Sequence, residues 1–454
     1  MIKRFKKKMS KNTILSFLIP AMYRAILEAI VKNAPLGYDT VAFYVESIMY
    51  TQFSLKGLKY FPLYNYILFA IKIVVKDVFL AIKIGAVLTS GLLGYSIYKW
   101  LKAIGFERKT LTYTLIVFFF LPNLRFTWGL HRNTFGLAIA LLAMSYLREG
   151  NKRLSYILAF ISGFSHPFAA LSLIAMNIES ALVKKNTPSI KVAFLSGLGT
   201  LLTQIPSSFT YTYEQITYMP NTNLLERIIE TYVYEGWLFL PMFPFMKFFI
   251  NNLKDVTNNF GKEHLCWIVC FLLIPPIFYF SNRFIILLGI PVATLVIGDV
   301  VLKNSKKREL ALITVIIISS TVYTPIRMIN SSIPPKYVSE VLQLFDYCRE
   351  KLDDNSIIVV HRALMGFALK AAINRDKIVV VEPYDSFKEK ISSIENFTKI
   401  YTVWWLKGKT WKEEQIVNYL FPFMDVSERH ELPEGYTVLK EGRGFAVYLY
   451  ERKS

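Results

Sequence analysis

The chain has 454 residues, 53% of them hydrophobic and 19% charged, with a formal net charge of +20 and a mean hydropathy of +0.36. That balance excludes a soluble globular protein of this size, because the apolar residues fall in many runs long enough to cross a hydrocarbon core as helices. Lys and Arg lie mainly between alternate runs, so the excess charge reads as topology and argues against a nucleic-acid partner, while an anionic phosphate stays compatible.

A basic cluster (Lys3, Arg4, Lys6, Lys7, Lys8, Lys11) precedes the first apolar run with no small-residue cleavage site after it. It reads as a retained signal-anchor helix over Thr13–Val31 with its N-terminus in the cytoplasm. The stretch to Lys59 is too polar to span and is expected outside, carrying Asp39 and Glu46. Phe61–Val75 is apolar but short and is interrupted by lysine, which suggests a helix lying in the interface. Further spans are expected over Val78–Leu101, from Thr110 to about Leu121 with a stop at Pro122, and from Arg132 to Arg148. Then come Leu154–Phe164 and Phe168–Val183, a hairpin with Ser165-His166-Pro167 at its outer tip. Val192–Pro206 leads to an outside loop over Ser207–Glu235, and Trp237–Ile250, His264–Phe280, Arg283–Leu302 and Leu310–Tyr323 complete the set. The expectation is a polytopic α-helical membrane protein of about 11 transmembrane helices, N-terminus in and C-terminus out.

From Pro334 the composition becomes that of a soluble domain. Ser356–Val360, Lys377–Val381 and Lys399–Trp405 read as buried strands, separated by helical stretches at Arg362–Ile373 and Ser386–Ile394 and followed by one at Trp411–Leu420. Hairpin-like strands at Tyr436–Leu439 and Phe445–Tyr450 finish a small α/β domain. The expected division is a catalytic transmembrane module over 1–333, with an outer loop at 34–60 and juxtamembrane helices to about residue 76, and an extracytoplasmic domain over 334–454. No Gly-rich phosphate loop follows any strand, so nucleotide binding there is unsupported. Cys266 and Cys270 are one helical turn apart and Cys348 has no evident partner, so no disulfide framework is implied.

Asp39, His131-Arg132, His166 and Arg283 all fall at helix ends or loops of one expected face. Charges kept at membrane depth usually line a cavity, pair, or bind a ligand. Asp39 suits either an N-cap for Thr40–Ser47 or a general base. Arg132 and Arg283 start helices, where a nearby anion would complement the dipole. Only one of His131 and Arg132 need face a cavity, since neighbours on a helix diverge. His166 reads as a hydrogen-bonded histidine at a hairpin tip, with no second ligand at metal spacing. Glu46 reads as a solvated carboxylate, or as a ligand if the chemistry uses a metal.

Gly37-Tyr-Asp39 after the first helix, Pro62-Leu-Tyr-Asn-Tyr66 opening a short apolar helix, Arg132-Asn-Thr-Phe-Gly-Leu137, Ser165-His-Pro167 and Arg283 before Pro291 together resemble the polyprenyl- or dolichyl-phosphate-sugar-dependent glycosyltransferases of the GT-C superfold, of the protein mannosyltransferase and aminoarabinose transferase type. The resemblance implies transfer of a hexose or pentose from a lipid phosphate to a hydroxyl of a glycan, lipid or protein, on the extracytoplasmic face of the cell membrane. Asp39 would be the base and Arg132, Arg283, His131 and His166 would bind the donor's phosphate. Lys59 is a further donor-binding candidate, although relatives place the lysine immediately before Pro-Leu and Tyr60-Phe61 stand there here. No cofactor is expected. The loop lacks an Asp-x-Asp pair, which favours metal-independent chemistry and leaves a divalent metal open. Trp404-Trp405 is followed by Leu406-Lys407-Gly408, unlike the oligosaccharyltransferase motif. The alternatives are a lipid-linked glycan polymerase or ligase and a polytopic transporter or flippase.

Overall fold

The computed structural model describes residues 10–37, 40–49, 63–217, 232, 236–273, 281–329, 335–381, 387–394, 397–406 and 435–451. The chain divides into two compact units, one of residues 1–26, 51–68 and 84–324 and the other of 27–50, 69–83 and 325–454. In chain order the helices are α1 (Lys11–Val31), α2 (Val45–Met49), α3 (Leu63–Val75), α4 (Val78–Ala103), α5 (Thr110–Phe119), α6 (Leu121–Gly129), α7 (His131–Arg148), α8 (Lys152–Ser165), α9 (Pro167–Leu182) and α10 (Thr187–Thr217). They continue as α11 (Phe243–Asn251), α12 (Leu253–Phe260), α13 (Glu263–Leu273), α14 (Ser281–Leu287), α15 (Gly289–Leu302), α16 (Lys306–Ile329), α17 (Val338–Lys351), α18 (Met365–Lys370) and α19 (Phe387–Ser392).

The first unit is a helical bundle. Among the described residues, four runs are long and apolar enough to cross a membrane: Lys11–Val31, Val78–Ala103, Phe284–Leu302 and Lys306–Ile326. At 13 residues, α3 reaches about 20 Å, short of the roughly 30 Å hydrocarbon core. The expected hairpin forms: α8 and α9 are separated by His166 alone, with Pro167 at the first position of α9, where its missing N–H costs nothing. Several boundaries differ from the sequence reading. Residues 122–129, expected between two spans, belong to helix α6; α10 runs to Thr217, into the expected loop; the expected span Trp237–Ile250 is a 3-10 helix over Gly236–Met242 followed by α11; the inside stretch from Lys254 is mostly helix α12; and the tenth expected span is divided into α14 and α15. Hydropathy reports the apolar length of a run and is blind to where its backbone breaks.

Small residues let these helices approach. Phe17 and Pro20 of α1 fill the positions where a Cβ on Gly91 or Gly94 of α4 would stand. A Cβ on Gly163 of α8 would run into the Ser196 carbonyl of α10, and one on Gly199 into the Phe160 carbonyl and the Phe164 N–H. Without a hydrophobic drive between helices in lipid, such close packing supplies much of the association. At one end of the bundle, charged ends of different helices pair: Lys99 with Glu149 at 2.5 Å, Arg148 with Glu263, Lys109 with Glu309 at 2.7 Å, and Arg308 with Asp299 at 3.6 Å. Asn252 Nδ2 also donates to Asp299 Oδ1 at 2.8 Å. These Lys and Arg belong to the segments that the sequence reading assigns to the inside.

The second unit is built on a five-stranded mixed sheet of order β2-β1-β3-β5-β4: β1 (Ser356–His361), β2 (Ile378–Val381), β3 (Lys399–Trp405), β4 (Thr437–Glu441) and β5 (Phe445–Glu451). All five expected strands are present. Strand β1 lies between parallel neighbours β2 and β3 and is buried along its whole length, as an unbroken Ile-Val run requires. The edge strand β4 is exposed throughout. Glu340, in the first turn of α17, accepts from the N–H groups of Gly444 and Phe445 at 2.9 and 3.0 Å, fixing that helix to the start of β5. A π-helical turn, Thr40–Tyr44, packs on α18, where Gly366 leaves room for the Val41 carbonyl. The expected helix at Trp411–Leu420 lies outside the described residues. All three cysteines are free, and burial pushes the Cys348 thiol up to about 12.

Two outcomes follow from these contacts. Gly163→Ala or Gly199→Ala should destabilise the detergent-solubilised protein by about 1–3 kcal/mol, read as a lower melting temperature. Gly197→Ala, mid-helix with no described atom within 4 Å of its Cβ, should keep or slightly raise the melting temperature. In the second unit, burial raises the Asp77 carboxyl, but the Lys370 ammonium and the Leu80 N–H at 2.9 Å outweigh it and hold it below the ordinary carboxylate range. Its stabilisation is therefore complete above the unfolded value of about 3.9 and is lost as pH falls through the lower folded value. Asp77→Asn should flatten that acid limb in melting curves taken from pH 7 to pH 3.

Candidate functional site

The site in the first unit is organised by a break in the chain. Helix α6 ends at Gly129 and α7 begins at His131, with only Leu130 (φ −89°, ψ 50°) between them. Two helix ends of opposite polarity therefore stand one residue apart: the last carbonyls of α6 have no donor within their helix, and the first N–H groups of α7 have no acceptor within theirs. Leu130 has no side chain able to cap α7.

Arg24 of α1, 2% exposed, meets the carbonyl end. Its Nη1 donates to Thr127 O at 3.1 Å and Trp128 O at 3.2 Å, and its guanidinium carbon lies 5.9 Å from the centroid of the Trp128 ring. Nη2 stands 3.2 Å from His131 Nε2. A guanidinium only donates, so a hydrogen bond between the two needs Nε2 unprotonated, with the ring proton on Nδ1. The edge of Tyr64 in α3 packs against the same imidazole with ring centroids 6.3 Å apart, and Tyr64 also stacks at a tilt on Phe135.

His131 and Phe135 thus form one face of α7, turned toward Arg24 and Tyr64. Arg132 and Gly136, also four residues apart, share the neighbouring face. Arg132 is half-buried. A Cβ on Gly136 would stand 2.9 Å from Ala169 Cβ and 3.3 Å from His166 Cβ, so His166 lies one helical turn along from Arg132. His166 Nδ1 accepts from Phe168 N at 3.2 Å, capping α9. Phe168 in turn meets Phe284 edge-on at 4.9 Å, which brings in the residue after Arg283 at the start of α14. The side chain of Arg283 lies outside the described residues, as do Asp39 and Lys59.

Two buried amides complete the surroundings. Asn133, third in α7 and 3% exposed, has its side-chain N–H groups without an acceptor, and Asn65, beside Tyr64 and fully buried, has neither its donor nor its acceptor satisfied among the described residues. Leaving such a group unmet costs about 1–3 kcal/mol, so a polar ligand would be gained most at these positions. Among the described residues no group of three His, Cys, Asp or Glu side chains could hold a metal ion.

Glu46 belongs to the second unit and is not the solvated carboxylate expected. It accepts from Arg362 Nη1 at 2.9 Å and Arg375 Nε at 2.7 Å, and Arg362 also lies over the Phe43 ring. The sequence reading missed Arg24 and Glu28, both in the first helix. Glu28 accepts from the Leu36 N–H at 3.2 Å, and Lys83 donates to the carbonyls of Glu28 and Lys32 at 2.8 Å each, closing the end of α1. Two charges four residues apart inside a spanning helix were the available signal.

The sequence model of the EpsG family matches residues 23–337. The chain belongs to the EpsG family. The match covers α1 from Tyr23 onward, the broken α6–α7 segment and the α8–α9 hairpin. No curated protein sequence matches this family member. Among solved structures, the crystal structure of ArnT from Cupriavidus metallidurans bound to undecaprenyl phosphate aligns with a TM-score of 0.56 and 9% identity, over 97% of this chain and 98% of that one. At that identity the likeness shows the fold. The EpsG-family chain shares the fold of that protein over nearly its whole length, in line with the expected resemblance, and four runs among its described residues are long and apolar enough to cross a membrane.

Proposed function

We propose that the protein is an integral membrane glycosyltransferase that moves a glycosyl group from a polyprenyl-phosphate donor to an acceptor hydroxyl, with one displacement and inversion at the anomeric carbon. The observation that carries this reading is the first turn of α7: a helix start to which Leu130 gives no side-chain cap, bearing Arg132 and an Asn133 amide whose N–H groups are unmet among the described residues, in a chain that shares its fold with a protein whose crystal structure holds undecaprenyl phosphate. As the glycosidic bond breaks, negative charge grows on the lipid phosphate. Oriented N–H groups and a guanidinium in a water-poor site stabilise that charge more in the transition state than in the ground state.

Of the adjacent pair His131 and Arg132, the geometry favours Arg132 as the phosphate ligand, because His131 is turned toward Arg24 and Tyr64. His166 and Arg283 are proposed to act on the same face of α7, His166 as a shaping residue through its packing on Gly136. Asp39 keeps the role of general base on its place in the sequence, with Lys59 as a further donor contact. The reading puts the start of α7 and the C-terminal domain outside, since the opposite end of α7 meets the Lys- and Arg-rich helix ends that the positive-inside rule assigns to the cytoplasm. It takes residues 1–333 as the catalytic module and 334–454 as an accessory domain.

Membership of the EpsG family favours a second reading of the same chemistry, in which donor and acceptor are both lipid-linked glycans and the product is a longer polymer. The two readings share the phosphate site and differ in the acceptor. Purified protein in nanodiscs, supplied with a polyprenyl-phosphate-linked sugar, should release polyprenyl phosphate only when an acceptor is present. Arg132→Gln should slow that release by about 100-fold, and Asp39→Asn by at least about 100-fold, with unchanged melting temperatures. A folded Arg132→Gln protein with the wild-type rate would remove Arg132 from the site. Product chain length separates single transfer from polymerisation.

A further inference from the structure

Arg24 has no part in the reaction as proposed, yet it is a cation buried at membrane depth on a helix otherwise read as an anchor. An unmet guanidinium there would be strongly destabilising. Its partners include two carbonyls in the last turn of α6 and one imidazole nitrogen at the first position of α7. It therefore spans the break at Leu130.

That position has an electrostatic consequence. The carbonyl end of α6 carries roughly half a negative charge and the start of α7 roughly half a positive one. With one residue between them, an anion bound at α7 is attracted by the near end and repelled by the carbonyls behind it. A guanidinium hydrogen-bonded to those carbonyls cancels the repulsion and leaves the positive end of α7 effective. By donating to Nε2, it also sets the tautomer of His131 and hence the orientation of the turn that carries Arg132 and Asn133.

We propose that Arg24 is a positioning residue of the donor site, which cancels the carbonyl end of α6 and locks His131 so that the first turn of α7 can hold a polyprenyl phosphate. This rests on the reading of that turn as the donor's phosphate site. Arg24 touches no substrate in the proposal; it acts through α6 and His131.

The test compares wild type, Arg24→Gln and Arg24→Lys, full length in nanodiscs. Binding is measured for undecaprenyl phosphate and for undecaprenol, which has the same tail and no phosphate, alongside 15N spectra of histidine-labelled protein. The chain has five histidines, so His131→Gln assigns the resonance. The wild-type His131 spectrum should show an unprotonated Nε2. Arg24→Gln should weaken undecaprenyl phosphate binding about tenfold with undecaprenol binding unchanged, and should move His131 toward a mixture of tautomers; Arg24→Lys should fall between. Equal loss for both lipids would make Arg24 a purely structural residue and overturn the inference. So would a protonated Nε2 in the wild type, or wild-type phosphate affinity in Arg24→Gln. If Arg24→Gln does not fold, Arg24→Lys decides by the same criteria. A wild-type protein that binds undecaprenyl phosphate no better than undecaprenol overturns the functional reading, and the inference with it.

Discussion

A chain inside a membrane must satisfy every backbone polar group it carries, and a helix break exposes several at once. In this protein the break at Leu130 is met on its carbonyl side by Arg24, a residue more than a hundred positions earlier. On the N–H side Leu130, the residue before α7, supplies no side-chain cap. In the proposed account this asymmetry leaves the start of α7 electropositive without a cluster of lysines. The same device recurs in the second unit, where Lys83 closes the carbonyl end of α1. In both cases a long cationic side chain from another helix replaces the water that a soluble protein would use.

The remaining architecture holds these ends in register. Glycines at the α1–α4 and α8–α10 crossings allow backbone to approach backbone, and paired charges tie the far ends of α4, α5, α7, α13, α15 and α16. Surface ion pairs contribute little one at a time, but a set that joins several helices restrains their relative rotation.

Much of this was legible in the sequence because it rests on local rules. The Ser165-His166-Pro167 hairpin tip and the strands of the C-terminal sheet each carry their signal within a few residues, and the structure has them; of the about 11 expected spans, four described runs are long and apolar enough to cross a membrane. The GT-C resemblance likewise survived comparison of the whole fold. What escaped depends on partners distant in sequence. Arg24 looks like a stray charge in an anchor helix until Thr127, Trp128 and His131 are placed beside it. Glu46 looks solvated until Arg362 and Arg375 arrive from the other end of the chain. Helix α6 was invisible because Pro122 and Arg125 interrupt its apolar pattern, although Pro122 lies in its first turn, where proline is tolerated. That only one of His131 and Arg132 need face a cavity followed from helical geometry alone, but which one depended on Arg24 and Tyr64, which are distant in sequence.

The central claim is that the start of α7 is where the donor's phosphate sits. It is tested most directly by a cryo-electron microscopy structure of the protein in nanodiscs with undecaprenyl phosphate bound. The account predicts phosphate density within hydrogen-bonding distance of Arg132 and the first backbone N–H groups of α7, with Arg24 still on the carbonyls of Thr127 and Trp128. Phosphate density resolved elsewhere, with the first turn of α7 closed by protein side chains, would contradict it.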